Sequence, residues 1–242
     1  MTLATMIKEW VEHCTIQRGQ NPNGIKRYVS IVESFIAWVK SKGFSGDPLN
    51  IARDHITEWQ KHLFYECGNT SNSTRAGKLS ALRSFFGYLR YAGYITIDPT
   101  EDIPSPKIQP HLAKKFSTEE LRLLFSAPDR SKPMGVRDLA ILKTLYAAGP
   151  RVSELIGLYM NHIHDTGGYI RLEIIAGKGG KSRTVTIRSR ASQSLREWMI
   201  LRSEIEADTS AVFVGLHGKK HGRLTTRRIS DILKKYAAVV GI

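Results

Sequence analysis

Cysteine is scarce in this chain of 242 residues: only Cys14 and Cys67 occur, far apart and at no metal-ligand or redox spacing. A disulfide scaffold is thereby excluded, and a reducing compartment is the expectation. Long apolar runs are missing too, none approaching the roughly 18 residues of a membrane span. Lys8, Glu9 and Glu12 break up the amino end, which lacks the basic-then-apolar layout of a secretory signal. The expectation is a cytoplasmic protein without a membrane partner. Acidic side chains are the third shortage. Against 36 lysines and arginines stand 22 aspartates and glutamates, a net charge of +14 with a pI near 9.9. Such an excess points to a polyanionic partner, because cations that neutralise phosphates release bound counterions. Charge alone leaves a merely basic soluble protein as the competing account. The remaining composition, 41% hydrophobic and 24% charged, excludes disordered and collagen-like chains.

What is present is chiefly helical periodicity. Ile25, Tyr28, Val29, Val32, Phe35, Ile36 and Val39 recur at three- and four-residue steps, one apolar face of a long helix. Gly43 and the Gly46-Asp47-Pro48 turn close it. A shorter helix is predicted over 57–64. Another long one starts after the polar Gly68-Asn69-Thr70-Ser71 and ends near Ala92-Gly93. On it Leu79, Leu82, Phe86 and Leu89 form a core stripe. Ser80, Arg83, Gly87 and Arg90 form a second stripe, small and positive, which lets a backbone come close to something flat. Four of the nine prolines then fall between Pro99 and Pro110, where no period is visible. That spacing predicts a semi-rigid linker over 98–114 between domains at 1–97 and 115–242. Residues 1–98 carry 12 basic and 8 acidic groups and residues 99–242 carry 24 and 14. Both sides are positive, so two lobes gripping one polyanion are expected.

The second domain opens with Ser117-Thr118-Glu119-Glu120, a reciprocal capping-box spacing. A helix over 136–148 carries Leu139, Leu142 and Tyr146 and runs into Gly149-Pro150-Arg151. Ile170, Leu172 and Ile174 alternate with Arg171 and Glu173, and Val185 and Ile187 with Thr184 and Thr186, which reads as two strands. Between them Ala176-Gly177-Lys178-Gly179-Gly180-Lys181 is a hairpin tip. Helices at about 191–206 and 226–240 follow, with a strand-like run at Val212-Phe213-Val214. The fold class is mainly α with a small antiparallel β-sheet.

Two segments carry chemistry. Arg151 heads a helix, where its planar fork can hold two phosphate oxygens. Lys178 sits in a glycine-rich tip, where a solvated turn lysine is the competing reading. A nucleotide-binding loop is excluded at Gly180-Lys181-Ser182: its required first glycine falls at Ile175, and the segment leads into a strand. Arg223, Thr225, Arg227 and Arg228 cluster where threonine caps the last helix, an arrangement suited to phosphates or a DNA groove. A solvated charged face competes with that reading. His162 and His164, in a predicted loop, and His217 and His221, among lysines, are poor metal ligands. No metal site and no cofactor are expected.

Gly149-Pro150-Arg151-Val152-Ser153-Glu154-Leu155-Ile156-Gly157-Leu158, followed by Gly177-Lys178-Gly179-Gly180-Lys181-Ser182-Arg183, resembles the tyrosine recombinases, the Xer and phage-integrase family of DNA strand-exchange enzymes. The resemblance spans both domains. Pro150 departs from it, since the family usually places leucine, methionine or cysteine there, and a slightly displaced arginine is expected. The resemblance implies an all-helical, SAM-like core-binding domain followed by an α+β catalytic domain, with duplex DNA as partner and no cofactor. It implies Arg151 and Lys178 as catalytic residues, Lys178 as general acid toward the leaving 5′ oxygen, and Glu154 as a residue that orients Arg151. Lys181 and Arg183 are implied on flanking phosphates, and Arg75, Lys78 and Arg83 on the DNA-facing helix of the first domain. Further implied are a His-x-x-Arg segment, a later His or Trp and a nucleophilic tyrosine, all following a Gly-Ile turn such as Gly241-Ile242. None follows in this sequence, so a truncated catalytic domain is expected, unable to cleave DNA by itself; the alternative is a non-catalytic DNA-binding remnant or site-occupying regulator that lost the nucleophile. A homotetramer on DNA is expected only for a full-length form, and the apolar side of 229–240 is expected to lie partly uncovered. Tyr236 shares a helical face with Ile229, Ile232, Leu233 and Val240 and is read as core rather than nucleophile.

Overall fold

The computed structural model describes residues 2–68, 70–109, 115–175, 182–188, 190–217 and 221–242. The chain divides into two compact units, Met1–Leu112 and Ala113–Ile242, each with its own core.

The first unit is helical: α1 Leu3–Ile16, α2 Pro22–Ser41, α3 Arg53–Tyr65 and α4 Asn72–Tyr91. In α2, Asn21 caps the first turn and Pro22 takes the position where a missing N–H costs nothing. Ile25, Val32, Phe35, Ile36 and Val39 are its buried stripe. On α4 the anticipated core stripe is fully buried and Phe85 joins it, with Trp10 edge-on at 5.2 Å. Helix α3 begins at Arg53, earlier than the sequence suggests. Its N-cap is Ala52, which has no side-chain oxygen, and the end is closed instead by His55 Nδ1 accepting the Ala52 N–H at 3.0 Å.

The proline-rich stretch is more than a linker. Over Asp98–Lys107 it forms a strap lying along α4. The Arg83 guanidinium donates to the Ile103 carbonyl and to Ser105 Oγ, Arg90 pairs with Glu101 at 2.7 Å, and Asn72 Nδ2 donates to the Lys107 carbonyl at 2.7 Å. Ile103 is buried in the helical core. At Gly87 an added Cβ would stand 3.7 Å from Asp98 Oδ2. The arginines of the small, positive stripe are therefore met by the chain's own strap.

The second unit comprises α5 Thr118–Ser126, α6 Pro133–Ala148, α7 Val152–Ile156, β1 Ile163–Asp165, β2 Tyr169–Ile174, β3 Arg183–Arg188, α8 Arg190–Glu204 and α9 Thr226–Val239. The capping box forms as spelled, Glu120 N–H to Ser117 Oγ at 3.1 Å and Ser117 N–H to Glu120 Oε2 at 2.7 Å. The sheet is antiparallel in the order β1-β2-β3, with Ile170 opposite Ile187 and Leu172 opposite Val185. Strand β1 is a finding beyond the sequence reading, which placed His164 in a loop; in the strand His164 pairs with Glu173 at 3.0 Å. Tyr146 also departs from expectation: it is exposed, its ring edge-on to Phe125. Val212-Phe213-Val214 is buried core flanked by isolated bridges rather than a strand. Trp198 lies parallel to the Phe213 ring, and its indole N–H donates to the Val212 carbonyl at 2.9 Å. On α9 Ile229, Ile232 and Tyr236 are buried within the unit, Leu233 is half-buried, and Val239 at its end is exposed, so its apolar side is covered only in part.

Candidate phosphate-binding site

Gly149 ends α6 in the left-handed conformation, φ 55°, which glycine adopts without strain. Pro150 is buried, and Arg151 follows as the extended N-cap of α7. With five residues, α7 is too short for its dipole to matter much, so the site's charge comes from side chains.

Those side chains converge on Glu154. Its carboxylate is buried, 5% exposed, and receives four donors. Oε1 takes Arg151 Nη1 and Arg183 Nη1 (3.0 Å); Oε2 takes the Arg151 backbone N–H (2.8 Å) and Arg183 Nη2 (2.7 Å). The Arg183 hydrogen bonds, with those from Arg151, hold the Glu154 carboxyl down at about 2, against the burial that would raise it. Glu154 in turn raises the Arg183 guanidinium. Two cations thus share one carboxylate. The Arg151 side chain, 51% exposed, commits only Nη1 among the described residues, leaving Nε and Nη2 of its fork.

The other anticipated residues fall in several places. Lys178 and Lys181 lie outside the described residues. Arg183, anticipated on a flanking phosphate, has both terminal nitrogens on Glu154. Arg223 lies 4.3 Å over the Tyr159 ring, in the segment just past α7, and α7 itself packs on α9. Thr225 caps α9, its hydroxyl accepting the Arg228 N–H at 3.2 Å, while the Arg227 and Arg228 side chains stand exposed. In the first unit Arg75 bonds Asn72 Oδ1 and stacks on Phe64, and Lys78 sits 5.4 Å over the Trp59 ring. Arg83 is held by the strap.

Tyr236 is core, as the sequence suggests. Its hydroxyl donates to Asp138 Oδ2 at 3.0 Å, and burial together with that carboxylate pushes it up to about 12. Asp138 is also held by buried Arg137, whose Nη1 reaches the Val214 carbonyl. This buried network was not anticipated, although a charged Arg-Asp pair inside an apolar helix is a signal for one.

The description "Phage integrase family" matches residues 114–242, and "Phage integrase, N-terminal SAM-like domain" matches residues 7–93. The chain is 30% identical over 242 residues to the tyrosine recombinase XerC of Thermodesulfovibrio yellowstonii, covering 98% of this chain and 76% of that protein. It is 31% identical over 244 residues to the tyrosine recombinase XerD of Listeria monocytogenes, covering 98% and 78%. In fold it is similar to a lambda integrase (75-356) dimer solved on a COC' core site, with a TM-score of 0.71 and 17% identity, covering all of this chain and 82% of that one. A SAM-like helical domain followed by a mostly helical catalytic domain with a small antiparallel sheet is thus the fold in hand.

Proposed function

The chain belongs to the phage integrase family, and from that premise we propose that it binds duplex DNA and serves site-specific strand breakage and rejoining. The observation that carries the reading is the one-armed, half-exposed Arg151 fork, held in place by Glu154 within the matched motif. In a transesterification of this kind a tyrosine hydroxyl attacks phosphorus, a 3′-phosphotyrosine bond forms, and the 5′ oxygen leaves with a proton. One phosphoester replaces another, so no ATP or metal is required. Arg151 meets the charge that builds on the non-bridging oxygens, and Lys178 delivers the proton to the leaving oxygen. Tyr236 is not the attacking group, since its hydroxyl is buried on Asp138. Arg223, Arg227 and Arg228 beside α7 and at the head of α9, with Arg75 and Lys78 on α4, contact the DNA backbone in this proposal. Assembly as a homotetramer on DNA and action in the cytoplasm belong to the same reading. Among the described residues no helix is long and apolar enough to cross a membrane.

Fluorescence anisotropy with a labelled duplex tests it. Wild type should bind, and Arg151→Gln should weaken binding about tenfold, one lost phosphate contact. No binding by the wild type, or equal binding by the variant, would overturn the proposal.

A further inference from the structure

Arg151 and Arg183 meet the same carboxylate in unlike ways. Arg183 grips Glu154 with both terminal nitrogens, at 2.7 and 3.0 Å, the bidentate geometry that fixes a guanidinium most firmly. Arg151 touches it with one nitrogen of its fork and is the more exposed of the two, 51% against 39%. Counting formal charge, Arg151 and Glu154 alone would cancel. A phosphate approaching Arg151 would then meet a pair with no net positive charge, and the repulsion from its buried carboxylate is strong where water is excluded. Arg183 restores a net charge of +1 to the cluster.

We propose that Arg183 is a charge-balancing and positioning residue: it holds the Glu154 negative charge so that Arg151 keeps its attraction for a phosphodiester, without itself touching that phosphate. Glu154 fixes the backbone N–H and one side-chain nitrogen of Arg151. Arg183 cancels what that fixation would otherwise cost in electrostatic attraction. The same bridge ties the first residue of β3 to the start of α7, so the base of the β2–β3 hairpin and Arg151 are set by one carboxylate. The inference rests on the DNA-binding reading above.

A double-substitution cycle separates this role from direct contact. Duplex affinity is measured by anisotropy for wild type, Arg183→Gln, Arg183→Lys, Glu154→Gln and the Glu154→Gln/Arg183→Gln pair. Arg183→Gln should bind about tenfold more weakly, close to the loss from Arg151→Gln. Arg183→Lys, which keeps the charge, should lie within about threefold of wild type. Glu154→Gln, which removes the negative charge and keeps one oxygen for the Arg151 N–H, is the reference against which the double variant is read. The double variant should bind within about threefold of Glu154→Gln, because the charge to be balanced is gone. A direct phosphate contact predicts otherwise: the same loss from Arg183→Gln whether residue 154 is glutamate or glutamine. That outcome overturns the proposal, as does an Arg183→Gln affinity equal to wild type. Should Arg183→Gln alone fail to fold, the comparison of Glu154→Gln with the double variant decides: equal affinity supports the role, a tenfold loss overturns it. A wild type that does not bind duplex at all sinks the functional reading instead, so the two failures are told apart.

Discussion

At the scale of single residues, one buried acid and one buried phenol shape how the second unit responds to pH. Glu154 lies at about 2 in the folded chain against the usual 4.5, because arginine hydrogen bonds favour the ionised form. Its contribution to stability is therefore complete above about pH 4.5 and is lost as pH falls toward 2. Comparing urea midpoints of wild type and Glu154→Gln across that window should show the wild-type advantage shrinking with acid; a constant difference would contradict the assignment. Tyr236 runs the other way. Its folded value, about 12, lies above the usual 10, so its contribution is complete below pH 10 and disappears as pH rises toward 12. Tyr236→Phe should flatten this alkaline loss, and it should leave any covalent DNA adduct on a nicked substrate unaffected. An adduct that the substitution abolished would return Tyr236 to the role of nucleophile. Asp138, which accepts from both Arg137 and Tyr236, is the point through which α6 and α9 are joined.

At the scale of elements, the packing of α6 makes a sharper forecast than helix propensity does. Alanine normally exceeds glycine by about 1 kcal/mol inside a helix. At Gly135, however, an added Cβ would fall 1.9 Å from the Asp129 carbonyl oxygen, a backbone atom that cannot swing away. Gly135→Ala should therefore destabilise by about 1–3 kcal/mol, as overpacking does, read from chemical denaturation; a stabilised variant would refute the contact. Which elements the sequence revealed follows the same distinction between local and distant causes. The α2 and α4 stripes were legible because a buried face repeats every three or four residues, and the β2–β3 pair because alternation and a glycine-rich turn lie side by side. The start of α3 was hidden because histidine replaces the usual oxygen cap. Strand β1 was hidden because three residues, two of them exposed, carry no period. In the site, Arg151 and the orienting role of Glu154 could be read from adjacent positions. The hold of Arg183 on Glu154 could not, because partners 29 residues apart are brought together by the folding of the strands and α7 into one unit. Arg83 shows the limit of a charge pattern: a positive stripe marks where something negative or carbonyl-rich will lie, and here the strap fills it.

At the scale of the whole molecule, positive charge on both stretches of sequence makes salt the decisive variable. Duplex affinity should fall linearly on a log–log plot against salt, with a slope of roughly −0.9 per phosphate neutralised, so the slope counts contacts; a flat line would contradict a backbone-binding protein. Neutralising Arg227 and Arg228 together should reduce that slope by about 2 if each meets a phosphate. The strap along α4 bears on how the first unit meets a protease. From Arg90 to Lys107 no lysine or arginine intervenes, so trypsin has a single tether bond to attack in that interval, after Lys107. The carbonyl of that bond is the acceptor for Asn72 Nδ2, and an enzyme cannot draw it into its own oxyanion pocket until Asn72 lets go. Digestion at this peptide thus clocks how often the helix releases its cord, and Asn72→Ala should quicken the nick.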